Sequence, residues 1–186
     1  VIISIPTDVL DSKVLCSPKK RTKKIIAKSD MKEVEKVANE ISIAQNPILV
    51  VGGHLQFSDH SKLQIKKIAS KFSLPVMCTY EHQDLIDNDN IHYAGELGLR
   101  PPEPVKQNAK EADLVICIGH RLNGVPNLGY TFPSEKQKFI HVLPDGTALE
   151  NIFKTEIAII SDGNDFMEKL IKIKTNTKIK NRKNWI

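Results

Sequence analysis

Uninterrupted apolar runs alternate along the chain with segments whose apolar residues recur at helical spacing. The runs are "ILVV", "VMCT", "DLVICIG", "KFIHVLP" and "IAII". Strands of a parallel sheet give such runs, because helices cover both faces of the sheet and every side chain is buried. With the short run "VIISIP" at the start, the pattern predicts an α/β fold with a doubly wound, mainly parallel sheet of about six strands.

The helical segments begin at recognisable signals. Asp30 followed by Glu33 has the spacing of a capping box, and Asp59 opens a second helix. The predicted buried positions of these two helices are Met31, Val34, Val37, Ala38, Ile41, Ala44, Leu63, Ile65, Ile68, Ala69 and Phe72. Further helices are predicted at "VKQNAKEA" and "NDFMEKLIKI", whereas the stretch from "EHQDLIDNDN" to "HYAGELGLRPPEP" is predicted to be irregular.

The ends of the chain differ from its middle. Pro6 stops the first apolar run, and the residues after it show no period until Asp30. We therefore expect residues 1–29 to be the end of a preceding domain plus a basic linker. Residues 30–174 are predicted to form the α/β domain, and residues 175–186 a second basic linker.

Positive charge is concentrated in these two linkers. "KKRTKK" and "KIKTNTKIKNRK" together carry eleven positive charges and no acid, while the whole chain has a net charge of only +5. The body of the chain is therefore mildly acidic, and aromatic residues make up only 5% of the whole chain. A nucleic-acid binder would instead carry basic side chains with interleaved aromatics on a folded face. Solvated linker charge is the favoured interpretation; a polyanion-binding arm is the alternative.

Cysteine usage and hydropathy bear on the cellular compartment. Cys16, Cys78 and Cys117 form no CxxC pair, and the last two lie in apolar runs, where cysteine is usually a small core residue. No apolar run approaches the length of a membrane span, and no secretory signal is recognisable. We expect a cytoplasmic protein without membrane contact.

The candidate chemistry lies where the predicted strands end. In parallel sheets, ligands bind beyond the carboxyl ends of the strands, and glycines there let backbone amides approach a phosphate. The predicted ends read Gly52-Gly53-His54, Thr79-Tyr80-Glu81, Gly119-His120-Arg121 and Pro144-Asp145-Gly146. The alternative is that the glycines serve only tight turns.

Known catalytic and cofactor motifs are missing from the sequence. "GGHLQF" lacks the third glycine of GxGxxG, which argues against a dehydrogenase-like domain, and neither a Walker A motif nor GxSxG occurs. The histidines lack metal-ligand spacing and are interpreted as solvent-facing or hydrogen-bonded imidazoles.

The order of the segments resembles the central domain of thiamine-diphosphate-dependent enzymes of the acetolactate synthase-like group. The segments that carry the resemblance are "VIISIPTDVL", "NPILVVGGHLQFSDHSKLQIKKIASKFSLPVMCTYEHQDLI", "HYAGELGLR", "EADLVICIGHRLNGVPNLGYTFP", "KFIHVLPD" and "NRKNWI". They cover nearly the whole chain, which also begins on Val. The resemblance implies a Rossmann-like domain cut from a longer parent enzyme that acts on 2-keto acids as a carboligase or decarboxylase.

Some members of this group bind FAD, ADP or a coenzyme A moiety on the central domain. The positions that match such contacts are Gly52, Gly53, Gly98, Leu99, Gly119, Arg121 and Asp162. Asn123, Gly124 and Leu143 instead stand where flavin-binding members have acids, so an ADP-type or vestigial site is as consistent as an FAD site.

The resemblance also places the catalytic groups outside this chain. In such enzymes the first domain carries the activating glutamate, and the third holds Mg²⁺ and the diphosphate. We therefore expect no catalytic residue here, and no binding of thiamine diphosphate or Mg²⁺ by this chain alone. The partners would be the two other domains of a homodimeric or homotetrameric parent. A free-standing nucleotide-binding module without catalysis is the alternative.

Overall fold

The computed structural model describes residues 2–17, 19–20, 22–23, 25–55, 59–174, 182 and 185. It contains a six-stranded sheet in which every strand pair is parallel. The strands are β1 (Pro47–Val51), β2 (Val76–Thr79), β3 (Tyr93–Leu97), β4 (Leu114–Ile118), β5 (Lys138–Leu143) and β6 (Ile157–Ile160). Their order, β3-β2-β1-β4-β5-β6, is that of a doubly wound sheet whose direction of winding reverses between β1 and β4. The predicted fold class is confirmed.

Helices cover both faces of the sheet. The helices are α1 (Thr7–Leu10), α2 (Met31–Ile43), α3 (Asp59–Phe72), α4 (Glu103–Glu111) and α5 (Gly163–Lys172). Helices α2, α3 and α5 share one hydrophobic core with one face of the sheet. On the other face a second core joins α4 to the residues that follow β4, including Leu122 and Phe132. Each strand of the sheet's centre is therefore buried on both sides, as its apolar run predicts.

Two strand predictions need correction. Residues 2–6 form no strand, and the side chains of Ile2, Ile3 and Ile5 are exposed, because no strand of the described sheet lies beside them to pair with. The sixth strand is β3, which lies in the stretch predicted to be irregular. It is a partly exposed edge strand with a register shift against β2 and a glycine at φ +105°, so it lacks a continuous apolar run.

The buried faces of α2 and α3 differ from the prediction at their first predicted positions. Met31 and Leu63 are 43% and 49% exposed, so their predicted burial is wrong. On α3 the buried stripe instead includes Ser61 and Gln64, whose side chains donate hydrogen bonds to Asn164 of α5 over 2.7 and 3.2 Å. These polar contacts between α3 and α5 lie beside the apolar core that the two helices share.

The two basic segments differ in solvent exposure. The described lysines of the first segment, Lys19, Lys20 and Lys23, are exposed, as expected of a solvated linker. Arg182 is only 4% exposed and donates hydrogen bonds to helix carbonyls, so the solvated interpretation is wrong at that position. Most of the predicted linker over residues 175–186 lies outside the described residues.

The helices of the described ranges include none with the length and apolarity needed to cross a lipid bilayer.

Candidate functional site

The predicted site residues follow four strands of the sheet. Gly52 and Gly53 follow β1, Gly98 and Leu99 follow β3, Gly119 and Arg121 follow β4, and Asp162 follows β6. Because all six strands are parallel, these residues lie at one edge, the carboxyl edge of the sheet. Its centre is the crevice between β1 and β4, where doubly wound sheets bind their ligands.

Backbone hydrogen bonds join the two loops that flank this crevice. The amide of Gly52 donates to the carbonyl of Ile118 over 3.2 Å, and the amide of His54 donates to the carbonyl of Gly119 over 2.9 Å. The amide of Leu55 turns back to the carbonyl of Gly52. These three donors serve the protein's own carbonyls and are not free to bind a phosphate.

Side chains of the same chain fill the space beside both glycines. A Cβ atom on Gly52 would lie 2.5 Å from Cβ of His120 and 2.6 Å from Oγ1 of Thr79. A Cβ on Gly53 would lie 2.6 Å from Nε2 of His82. All three distances are shorter than non-bonded contacts of a carbon atom allow. Gly52 is therefore required where Cβ of His120 approaches, whereas a side chain at Gly53 would make the imidazole of His82 move aside.

Hydrogen bonds hold the two imidazoles in place. The amide of Leu122 donates to Nδ1 of His120 over 2.9 Å. Nδ1 of His82 lies 2.5 Å from the carbonyl oxygen of Tyr80 and 3.2 Å from Oγ1 of Thr79. The two rings are nearly perpendicular, with centroids 6.1 Å apart.

A third imidazole lies next to His120. His141, on β5, is 3% exposed, and its Nε2 donates to the carbonyl of His120 over 2.8 Å. Burial lowers the pKa of His120 to about 4, helped by its neighbours His82, His141 and His54. Burial also lowers the pKa of His141. At neutral pH these two imidazoles are uncharged and act as packed hydrogen-bonding groups.

The charged residues of the predicted site have partners within the protein. The guanidinium of Arg121 lies 3.0 Å from the carboxylate of Asp145. Hydrogen bonds from Thr147 and then the charge of Arg121 lower the pKa of Asp145. Asp162 is the N-cap of α5, where its carboxylate accepts from the amides of Asn164 (2.9 Å) and Asp165 (3.4 Å).

Gly98 and Leu99 lie away from the crevice. They follow β3, which is separated from β1 by β2. Gly98 packs against the carboxylate of Glu96, and the side chain of Leu99 is 69% exposed. The structure thus brings together Gly52, Gly53 and Gly119, but it places Gly98 and Leu99 apart from them.

The histidine cluster is the feature that the sequence did not reveal. His82, His120 and His141 are hydrogen-bonded, as interpreted, but their spacing in the sequence does not show that they meet. The sequence signal that could have indicated their meeting is their position just after strands. His54 and His82 lie three residues beyond the ends of β1 and β2, and His120 lies two residues beyond the end of β4. The described part of the chain has no group of His, Cys, Asp or Glu residues arranged to hold a metal ion.

A groove of about 1030 Å³ lies at the opposite edge of the sheet. It lies between the loop that precedes β5 and the segment that precedes β6. Its walls include Tyr130, Lys136, Phe153 and Lys154. None of the predicted site residues lines it.

Comparison with known proteins gives a consistent result. The family model described as the central domain of thiamine pyrophosphate enzymes matches residues 34–170. A probable acetolactate synthase large subunit from Methanocaldococcus jannaschii is 21% identical over 154 residues, covering 83% of this chain and 26% of that protein. Sulfoacetaldehyde acetyltransferase from Castellaniella defragrans is 22% identical over 163 residues, covering 86% and 27%.

A solved structure shares the fold. Benzoylformate decarboxylase from Polynucleobacter necessarius superposes with a TM-score of 0.70 at 17% identity, covering 97% of this chain and 33% of that chain. The chain spans about a quarter to a third of the length of these relatives.

Proposed function

This chain belongs to the family of thiamine pyrophosphate enzyme central domains, and we propose that it is the structural domain of an enzyme acting on 2-keto acids. The observation that carries the proposal is the match of the family model from α2 to α5, which spans the whole six-stranded sheet. The names of the relatives support an acetolactate synthase-like carboligase or decarboxylase as the parent activity.

In this proposal the chain positions other domains and carries no catalytic residue itself. Thiamine diphosphate and Mg²⁺ would bind to the first and third domains of the parent, which are the partners of this domain. The cofactor would stabilise the carbanion formed next to the substrate carbonyl. The parent would be a cytoplasmic homodimer or homotetramer without nucleic-acid or membrane partners.

FAD and ADP fit the predicted nucleotide site poorly. The amides of Gly52 and His54 are used by backbone carbonyls, and the space beside Gly52 and Gly53 contains imidazoles. The free-standing nucleotide-binding module is therefore the weaker proposal, and no step of the chemistry is assigned to a flavin.

The parent activity can be tested with the complete reading frame that encodes this sequence. We expect purified full-length protein to decarboxylate or condense pyruvate only when thiamine diphosphate and Mg²⁺ are added. The 186-residue chain is the matched control and should be inactive under the same conditions. A reading frame that encodes this chain alone, or turnover by the isolated chain, would contradict the proposal.

A further inference from the structure

We propose that the crevice between β1 and β4 is filled by the protein itself, with His82 and His120 occupying the space over Gly53 and Gly52. In this view Gly52 and Gly53 leave room for side chains of the same chain. The carboxyl edge is then a region where residues at the ends of β1, β2, β4 and β5 pack against one another. The proposal concerns only this domain. It holds or fails independently of the reaction of the parent enzyme.

Two backbone donors of the crevice, the amides of Gly52 and His54, already have acceptors. A phosphate at such a crevice is held by amides of the glycine loop and of a helix N-terminus. Here the amides of Gly52 and His54 donate to Ile118 and Gly119 across the crevice. A phosphate would have to displace these carbonyls and leave them without donors.

The atoms next to Gly52 and Gly53 belong to side chains of the same chain. In a loop that is glycine-rich for the sake of a ligand, a Cβ would point into the space that the ligand occupies. A Cβ on Gly53 would instead meet the imidazole of His82, and one on Gly52 would meet His120 and Thr79. Both glycines are thus explained by side chains of the same chain.

The charged side chains near the crevice also have partners within the protein. The amides at the start of α5 are capped by the carboxylate of Asp162, which would repel a phosphate placed there. Arg121 is the positive group nearest in sequence to the crevice glycine Gly119, and its guanidinium already pairs with Asp145. The amides of Gly52, His54, Asn164 and Asp165 and the guanidinium of Arg121 therefore all have acceptors within the chain.

Removal of the imidazoles from the crevice would break several contacts at once. His82 would lose its contacts with the carbonyl of Tyr80 and with Thr79. His120 would lose the hydrogen bond from Leu122. Because these groups lie in a partly buried region, each lost partner would leave a polar atom to be resolvated.

A double-mutant cycle between Gly53 and His82 tests the proposal. We expect Gly53→Ala to lower the thermal unfolding midpoint of the 186-residue chain by roughly 2 °C, because the new methyl group moves the imidazole of His82 away from the carbonyl of Tyr80 and from Thr79. The same substitution in the His82→Ala background should have almost no effect. Gly98→Ala is the matched control, since its methyl group would meet only the movable carboxylate of Glu96 at 3.3 Å.

Each outcome of the cycle decides the question. A loss in Gly53→Ala that His82→Ala relieves supports the self-filled crevice. An unchanged midpoint in Gly53→Ala, or an equal loss in both backgrounds, would overturn it. If Gly53→Ala does not fold, recovery of folding in the double variant is the supporting result, and failure of the double variant to fold is the contradicting one.

Discussion

His120 connects three strands of the carboxyl edge. It follows β4, packs beside the glycine loop after β1, and its carbonyl accepts a hydrogen bond from His141 on β5. Its ring is held by the amide of Leu122 and faces His82 from the loop after β2. A proton on this ring would place a positive charge in a poorly solvated site among other imidazoles.

The stability of the domain should therefore depend on pH through His120. Its pKa in the folded chain is about 4, below the ordinary value of 6.5, so the unfolded chain binds the proton more tightly. Stability is complete above the unfolded pKa and is lost as the pH falls from 6.5 towards 4. We expect a loss of about 2 kcal/mol in the free energy of unfolding between about pH 7.5 and about pH 5, measured by urea denaturation.

Two variants distinguish the contribution of His120 to the pH dependence of stability from that of the other histidines. His120→Gln keeps a hydrogen-bond acceptor but cannot be protonated, so the loss of stability on acidification should be smaller by most of that amount. A remaining slope is expected from His141, whose pKa burial also lowers. His60→Gln, on α3 and outside the cluster of His82, His120 and His141, is the matched control variant. An identical slope in His120→Gln and in the original chain would refute this assignment.

At the scale of the elements, Arg182 joins the carboxyl ends of two helices. Its guanidinium donates to the carbonyls of Phe72 (2.6 Å) at the end of α3, and of Ala44 (3.0 Å) and Ile41 at the end of α2. A positive charge at this position also interacts favourably with both helix dipoles. Burial removes water from the guanidinium and so lowers the pKa of Arg182.

Replacement of Arg182 should destabilise the whole domain. Arg182→Ala leaves three helix carbonyls without their donor, and we expect a loss of about 2 kcal/mol in the free energy of unfolding. Arg182→Lys keeps the charge but supplies a single donor group, so its stability should be intermediate. Lys174→Ala, which removes an exposed charge of the same tail, is the control. Equal urea midpoints for Arg182→Ala and Lys174→Ala would show that Arg182 does not tie the helices together.

Asp162 begins α5 and was also predicted to contact a nucleotide. As an N-cap it can be replaced by asparagine, whose side chain accepts the same amide hydrogen bonds, but not by alanine. We expect Asp162→Ala to lose about 1 kcal/mol in the free energy of unfolding and Asp162→Asn to lose only a few tenths. The thermal midpoints of the two variants provide the measurement. A loss that is the same for both would mean that the charge matters and the cap does not.

At the scale of the whole molecule, the sequence predicts the sheet well where strands are buried on both faces. β1, β2, β4 and β5 are continuous apolar runs, and the structure places them in the four inner positions. β3 is an edge strand with partly exposed side chains and an irregular register, so no apolar run marks it. Conversely, "VIISIP" has a strand-like composition, but its described residues, 2–6, have no neighbouring strand in the described sheet.

The sequence predicts where the candidate site lies, but not which side chains fill it. Topology alone brings the ends of parallel strands to one edge, and Gly52, Gly53 and Gly119 meet there as expected. Which atoms fill the space beside a glycine depends on side chains from other loops, here His82 and His120. No local pattern records such a tertiary contact, and two histidines far apart in sequence give no sign of it.

The whole domain then behaves as a closed scaffold at its carboxyl edge. The crevice that gives other doubly wound sheets their cofactor site is bridged by backbone hydrogen bonds and filled by imidazoles. Its contribution to a thiamine-diphosphate enzyme would be the rigid spacing of the flanking domains, which needs no ligand of its own.

Calorimetric titration of the 186-residue chain with FAD, ADP and coenzyme A, at neutral pH, tests this account most directly. A filled crevice predicts no saturable heat from any of the three ligands. Micromolar binding of one of them that is lost in Arg121→Ala would contradict the account, because it would show that the carboxyl edge opens to admit a nucleotide.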